Sequence, residues 1–169
     1  MTIRNLIICA SFLLMAGCAG NRKAEQFRAL PFPDVRPPAM MENQQDRADY
    51  MVRHWWDAIT EPSRDYPCDT AFVSGVSREE VEQKFANWTN MLGIVAPSTV
   101  RKSLERLYER ASACESKDTS SNVFETFTDL VVKYLYDPNS PFRNEDYYAY
   151  YASCLASSDL MDDLMREKY

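Results

Sequence analysis

The stretch Asn122-Val123-Phe124-Glu125-Thr126-Phe127-Thr128-Asp129-Leu130-Val131-Val132-Lys133-Tyr134-Leu135-Tyr136, followed by Asp137-Pro138-Asn139-Ser140-Pro141, decides the fold class. Val123, Phe124, Phe127, Leu130, Val131, Tyr134 and Leu135 recur at steps of three and four, which only a helix brings to one side. The two prolines cannot continue that helix, because they lack donors and push their preceding residues out of helical conformation. Asn144-Glu145-Asp146-Tyr147 then reads as a new helix start, with Asn144 as cap and two acids at the positive end. The unit is two apolar helices joined by a stiff corner, in which Asn139 and Ser140 can bond their own backbone.

Upstream, the same logic finds three more helices. Asp46 to Ile59 carries Met51, Trp55, Ala58 and Ile59 on one face and stops at Glu61-Pro62. Ser77-Arg78-Glu79-Glu80 has the form of a capping box. It precedes Val81, Phe85, Trp88 and Leu92, with Gly93 placed as a C-terminal cap. After Pro97-Ser98, the residues Val100, Leu104, Leu107, Tyr108, Ala111 and Cys114 fall at helical steps, opposite a solvated face of alternating charges. Asn122 with Glu125 offers a second capping box. A last short helix is expected from Asp159 to about Lys168, supplied by Leu160 and Leu164. Glu61 to Gly75 is irregular and long for a helix connection. Glycine numbers only four in 169 residues, which disfavours turn-rich sheet architectures. The expectation is all-α: an irregular bundle or array of about six helices, with no convincing fixed-period repeat.

The first residues read as an address rather than as fold. Arg4 precedes an apolar run from Leu6 to Met15, shorter than the ~20 residues a membrane span needs. Leu14-Met15-Ala16-Gly17-Cys18 resembles the lipobox of bacterial lipoproteins. The resemblance implies a signal peptide over 1–17, cleavage before Cys18, and acyl chains on Cys18. An ordinary signal peptide with an incidental cysteine is the alternative. Ala19, in place of aspartate, fits the sorting habit of outer-membrane lipoproteins, facing the periplasm or the cell surface. Several acyl chains anchor stably, since each buried methylene contributes ~0.8 kcal/mol. Residues 18–45, with Pro31, Pro33, Pro37 and Pro38, read as a proline-rich tether in which Phe32, Val35 and Met40 are available for local docking. Residues 46–169 form the helical domain.

Loss of the leader removes Arg4, leaving 18 basic against 25 acidic residues, or −7. Such a surface argues against nucleic acid and against flat contact with anionic lipid. Cys68, Cys114 and Cys154 remain in the domain. An odd number allows one disulfide with a spare thiol, or three free cysteines. Cys114 and Cys154 lie near apolar stripes, where the simpler reading is small buried side chains. Their spacing signals neither a redox pair nor a metal cluster, and no metal or cofactor is expected.

His54 is the sole histidine. As a base it would need a partner nucleophile, and none is marked, so a hydrogen-bonded or exposed helical histidine is expected. One ring of the Trp55-Trp56 pair belongs in the core, and the other at a boundary or ligand surface. Tyr147, Tyr148, Tyr150 and Tyr151 either fill helix interfaces or stack on sugars or peptides. Trp56, Tyr147, Tyr148 and Tyr151 are the candidate binding surface. No catalytic residue is nominated.

Tyr134-Leu135-Tyr136-Asp137-Pro138-Asn139-Ser140-Pro141, with Arg143-Asn144-Glu145, resembles an uncharacterised helical domain of lipoproteins from Gram-negative gut-type bacteria. Arg47-Ala48-Asp49-Tyr50 with His54-Trp55-Trp56-Asp57, and the Phe32-Pro33 entry, resemble the opening of that domain. In that family a thioredoxin-like domain often follows. Here the chain ends where it would begin, and no Cys-x-x-Cys is present, so redox activity does not carry over. The implied partner is the membrane through the acyl chains, plus a protein, with a thioredoxin-like one among the candidates. Three functions follow as expectations: a non-catalytic interaction or positioning module at the envelope, an accessory to thiol–disulfide exchange, or a glycan- or peptide-binding lipoprotein.

Overall fold

The computed structural model describes residues 28–64, 66 and 70–161. The leader, Cys18 and Cys68 lie outside them. The chain folds as α1 (Gln44–His54), β1 (Phe72–Val73), β2 (Val76–Ser77), α2 (Arg78–Leu92), α3 (Pro97–Lys117), α4 (Val123–Val131), a π-helical turn (Val132–Tyr136) and α5 (Glu145–Ala156). The mostly helical expectation holds, with five α-helices among the described residues where about six were expected for the chain. Asp159 to Met161, the start of the expected last helix, form a turn and a bend, and 162–169 are outside the described residues.

Each helix start has a local cause. Asn43 caps α1, its side chain accepting from the Gln45 and Asp46 amides. Pro97 opens α3 at a position whose missing N–H costs nothing. The Ser77 hydroxyl accepts from the Glu80 amide at 3.2 Å. The reciprocal half of that capping box is diverted, because the Glu80 carboxylate accepts instead from the Phe32 amide at 3.2 Å. The second capping box does not form. The Asn122 side chain donates to the Phe72 carbonyl at 2.8 Å and so ties α4 to the hairpin. Gly93 has a right-handed φ of −72°, so no left-handed cap requires glycine there.

The irregular 61–75 stretch hides a β-hairpin, which hydrophobic periodicity over two-residue strands cannot reveal. Phe72 pairs with Ser77 and Val73 with Val76. Ser74 at φ 47° and Gly75 at φ 83° make the two-residue turn, both in the left-handed region that hairpin twist favours. The Ser74 hydroxyl donates to the Ile59 carbonyl at 2.7 Å and holds the turn against the end of the first helical segment.

The first helix is also shorter than expected. It ends at His54, and 55–60 continue as turns in which the Ile59 and Thr60 amides donate to the Trp56 carbonyl. The buried face is therefore Val52, Trp56 and Ile59, while Ala58 is exposed and Met51 and Trp55 are half-buried. Trp56 sits at the centre of an aromatic core, with ring centroids 4.8 Å from Phe127, 5.6 Å from Phe85 and 5.9 Å from Trp88. The Trp88 indole donates to the Val52 carbonyl at 2.9 Å, pinning α2 to α1. α3 is the spine against which α1, α4 and α5 pack. Ahead of α1, Leu30 forms a parallel bridge with Val76 and Phe32 packs on Trp55 and Trp56, whereas Met40 is 90% exposed and docks nowhere. Among the described residues, no helix is long and apolar enough to cross a membrane.

Candidate functional site

The corner after α4 is held by a closely connected set of hydrogen bonds. The Asp137 amide donates to the Val132 carbonyl at 3.0 Å, five residues back, which closes the π-helical turn. Such turns insert one residue into a helix and recur at functional sites. Asp137 Oδ1 then accepts from the Asn139 amide at 2.8 Å and its side-chain NH2 at 3.2 Å. The Ser140 hydroxyl donates to the Tyr134 carbonyl at 2.6 Å. The Asn144 amide donates to the Leu135 carbonyl at 2.9 Å, and the Asn144 side chain accepts from the Tyr147 amide at 3.0 Å. The capping role expected of Asn144 is thus observed, and Ser140 bonds the backbone as expected, but at Asn139 it is the Asp137 side chain that takes the backbone amide, while the Asn139 side chain donates to Asp137 rather than to the backbone.

A depression of about 320 Å³ opens here, lined by Lys133, Tyr134, Asp137, Asn139, Ser140, Pro141 and Phe142. The Tyr134 ring lies between Phe85 at 5.4 Å and Phe142 at 5.8 Å. Its hydroxyl donates to Glu82 Oε1 at 3.3 Å, which also pairs with Lys133 Nζ at 2.5 Å. Burial, then the Glu82 charge, push the Tyr134 phenol above its ordinary value. Beside the depression, Tyr136 stacks on Tyr148 at 4.5 Å and 24°. Tyr136 is 49% exposed, so the pair presents an aromatic face to solvent. Chemically this surface can stack on a flat or C–H-rich group and exchange hydrogen bonds through Asp137 and Asn139.

The sequence-nominated binding residues divide. Trp56 at 4% and Tyr151 at 0% exposure are core, which corrects their assignment to a binding surface. Their ring areas are spent on Phe127 and Phe85, and on an edge contact with Tyr108 at 5.9 Å. Tyr147 and Tyr148 are half-buried, and only Tyr148 is brought to the exposed stack. Tyr134, Tyr136 and Phe142 were missed as site residues. A helical wheel places Tyr136 off the apolar stripe, and the π-helical turn that aims it at Tyr148 leaves no periodic signal. The tyrosine-rich run at 134–136 directly before a two-proline corner was the available hint.

A second polar cluster joins α1 to α3. Asp57 accepts from Arg106 Nε and Nη2, both at 2.8 Å, and lies 2.7 Å from His54 Nδ1. Arg110 stands 3.5 Å away and donates to the Asp57 carbonyl at 2.6 Å. Burial alone raises the Asp57 carboxyl, but hydrogen bonds from Arg106 and His54 and the charges of Arg106 and Arg110 outweigh it and lower the pKa. The same bond to Asp57 raises Arg106. His54, whose ring lies tilted against Tyr50 at 4.3 Å, is hydrogen-bonded to Asp57, one of the two alternatives expected of it. Cys114 and Cys154 are free thiols, pushed up by burial and so kept from ionising. Among the described residues, no three of His, Cys, Asp and Glu are grouped to hold a metal ion.

Comparison with known proteins adds two findings. The family described as domain of unknown function (DUF5106) matches residues 16–169. A crystal structure of a thioredoxin-like protein from Bacteroides caccae ATCC 43185 superposes with a TM-score of 0.64 at 27% identity, over 83% of this chain and 45% of that one. This chain therefore spans less than half the length of that protein. No curated protein matches.

Proposed function

We propose that this chain, which belongs to the DUF5106 family, is a cell-envelope lipoprotein whose helical domain is a non-catalytic module that positions a thioredoxin-like partner. The observation that carries the reading is the match itself: a body like this one makes up under half of a protein described as thioredoxin-like. The surface offered to the partner is the corner with its Tyr136–Tyr148 pair, of which Tyr136 is exposed. The anchor follows from the Ala16-Gly17-Cys18 end of the leader, which would carry the module on acyl chains at the outer membrane.

A photo-crosslinking residue at Tyr136 in the lipidated chain, followed by mass spectrometry of envelope adducts, tests this. A thioredoxin-like protein as the reproducible adduct, lost when the crosslinker is moved to the exposed α3 face at Lys102, supports it. Recovery of no thioredoxin-like protein defeats it. Labelled fatty acid absent from the protein, or unchanged in Cys18→Ser, defeats the anchor.

A second reading keeps the same corner but gives it a glycan. Tyr136 supplies a stacking face and Asp137 and Asn139 supply the hydrogen bonds. Titration of tyrosine fluorescence with oligosaccharides, compared in Tyr136→Ala, separates it from the protein-docking reading. The thiol–disulfide accessory has less support, since burial pushes both described thiols above the ordinary thiol range and so away from the reactive thiolate.

A further inference from the structure

The segment that enters the fold ahead of α1 is fastened at a single short site. The Leu30 amide donates to the Gly75 carbonyl at 2.8 Å, and Leu30 makes an isolated parallel bridge to Val76 at the edge of the hairpin. Two residues on, the Phe32 amide donates to Glu80 at 3.2 Å. The Phe32 ring lies 6.1 Å from Trp55 and 5.7 Å, edge-on, from Trp56, with Lys84 Nζ 5.3 Å above it. Gly75 is fitted to this contact, because a Cβ there would stand 3.1 Å from the Leu30 side chain and 2.7 Å from Tyr66.

The fastening is local and incomplete. From Asp34 to Asn43 the chain is mostly exposed, with Val35, Pro37 and Met41 half-buried. The indole N–H groups of Trp55 and Trp56, which floor the slot, are buried without a hydrogen-bond partner. A contact of one backbone bond, one backbone-to-carboxylate bond and one ring belongs among the structures that open locally without global unfolding.

We propose that Leu30–Pro33 is a releasable latch that sets the length of the membrane tether. This rests on the reading of Cys18 as the acylated residue. Leu30 lies twelve positions beyond Cys18, so a latched domain stays within ~40 Å of the leaflet even with that span fully extended. Asn43 lies twenty-five positions beyond Cys18, so release lets the first turn of α1 move out to ~85 Å. The partner class is a lipid leaflet held at a set distance, with the domain in near and far states.

Two measurements on the full lipidated protein test this. Hydrogen exchange should show the Leu30 and Phe32 amides protected at least tenfold over their free-chain rates. Phe32→Ala and, separately, Glu80→Ala should abolish that protection while α-helical circular dichroism is unchanged. On a supported bilayer, neutron reflectometry should place the variant domains farther from the leaflet, with the mean height at least a third greater. Variants that lose protection at unchanged height overturn the latch, and so does a wild type whose two amides exchange freely. Protection without bilayer attachment overturns both the anchor and the tether role, while the docked segment itself stands.

Discussion

Asp57 offers the sharpest quantitative test of how the domain is held together. Its carboxylate takes two hydrogen bonds from Arg106 and one contact from His54, with Arg110 adjacent. In Asp57→Asn the shape is kept and the charge removed. The side chains of Asp57, Arg106 and Arg110 are 28%, 38% and 22% exposed, between the surface and the interior limits. Exposed pairs contribute up to ~1 kcal/mol, and breaking a fully buried one costs about 3–5 kcal/mol. Hydrogen bonds to charged groups are worth about 1.5–3 kcal/mol, so a loss of about 2 kcal/mol at pH 7 is expected. Urea denaturation should show a lower midpoint at unchanged slope, near a one-molar shift if the slope is about 2 kcal/mol per molar. The pH dependence has a definite sign. The folded pKa lies below the ordinary value of 3.8, so the contribution is complete above that value and is lost as pH falls through the folded pKa. The gap between wild type and Asp57→Asn should therefore close only at strongly acid pH. Equal midpoints at pH 7, or a gap already closed at pH 5, would refute the reasoning.

Three further outcomes are expected. Trp88→Phe removes the bond to the Val52 carbonyl and part of a fully buried ring, costing about 2 kcal/mol and lowering Tm by roughly 5–10 °C in a thermal scan. Gly75→Ala, at φ 83° and with a Cβ 2.7 Å from the Tyr66 ring, should cost about 1–2 kcal/mol or more, whereas Gly93→Ala, at φ −72° with its nearest neighbour at 3.6 Å, should be neutral or stabilise by about 0.4–1 kcal/mol. Mapped by mass spectrometry at pH 7, maleimide should reach half-buried Cys154 before buried Cys114, and both more slowly than a free thiol, with the difference erased in urea.

Periodicity was enough to find α2, α3 and α4, because each devotes a continuous stripe to the core and each stripe is written at three- and four-residue steps. Val81, Phe85, Trp88 and Leu92 are all buried as spaced. It was not enough at α1, where one early helix end moved the buried face from Met51 and Trp55 to Val52 and Trp56. The candidate surface was legible only in outline: the two-proline corner and the tyrosines were visible, but not which rings face water.

What the amino-acid order determined by itself is therefore the helical class, the stiff corner and the caps at Asn144 and Ser77, since these depend on groups within a few residues of one another. The folded state alone decided everything that depends on competition between distant groups. Glu80 gave up its own helix end for the Phe32 amide, Asn122 left its cap for the Phe72 carbonyl, and Trp56 and Tyr151 went inward while Tyr136 stayed out. A side chain with two possible partners chooses by what the rest of the chain brings within about 3 Å, and that proximity is a property of packing, not of local sequence.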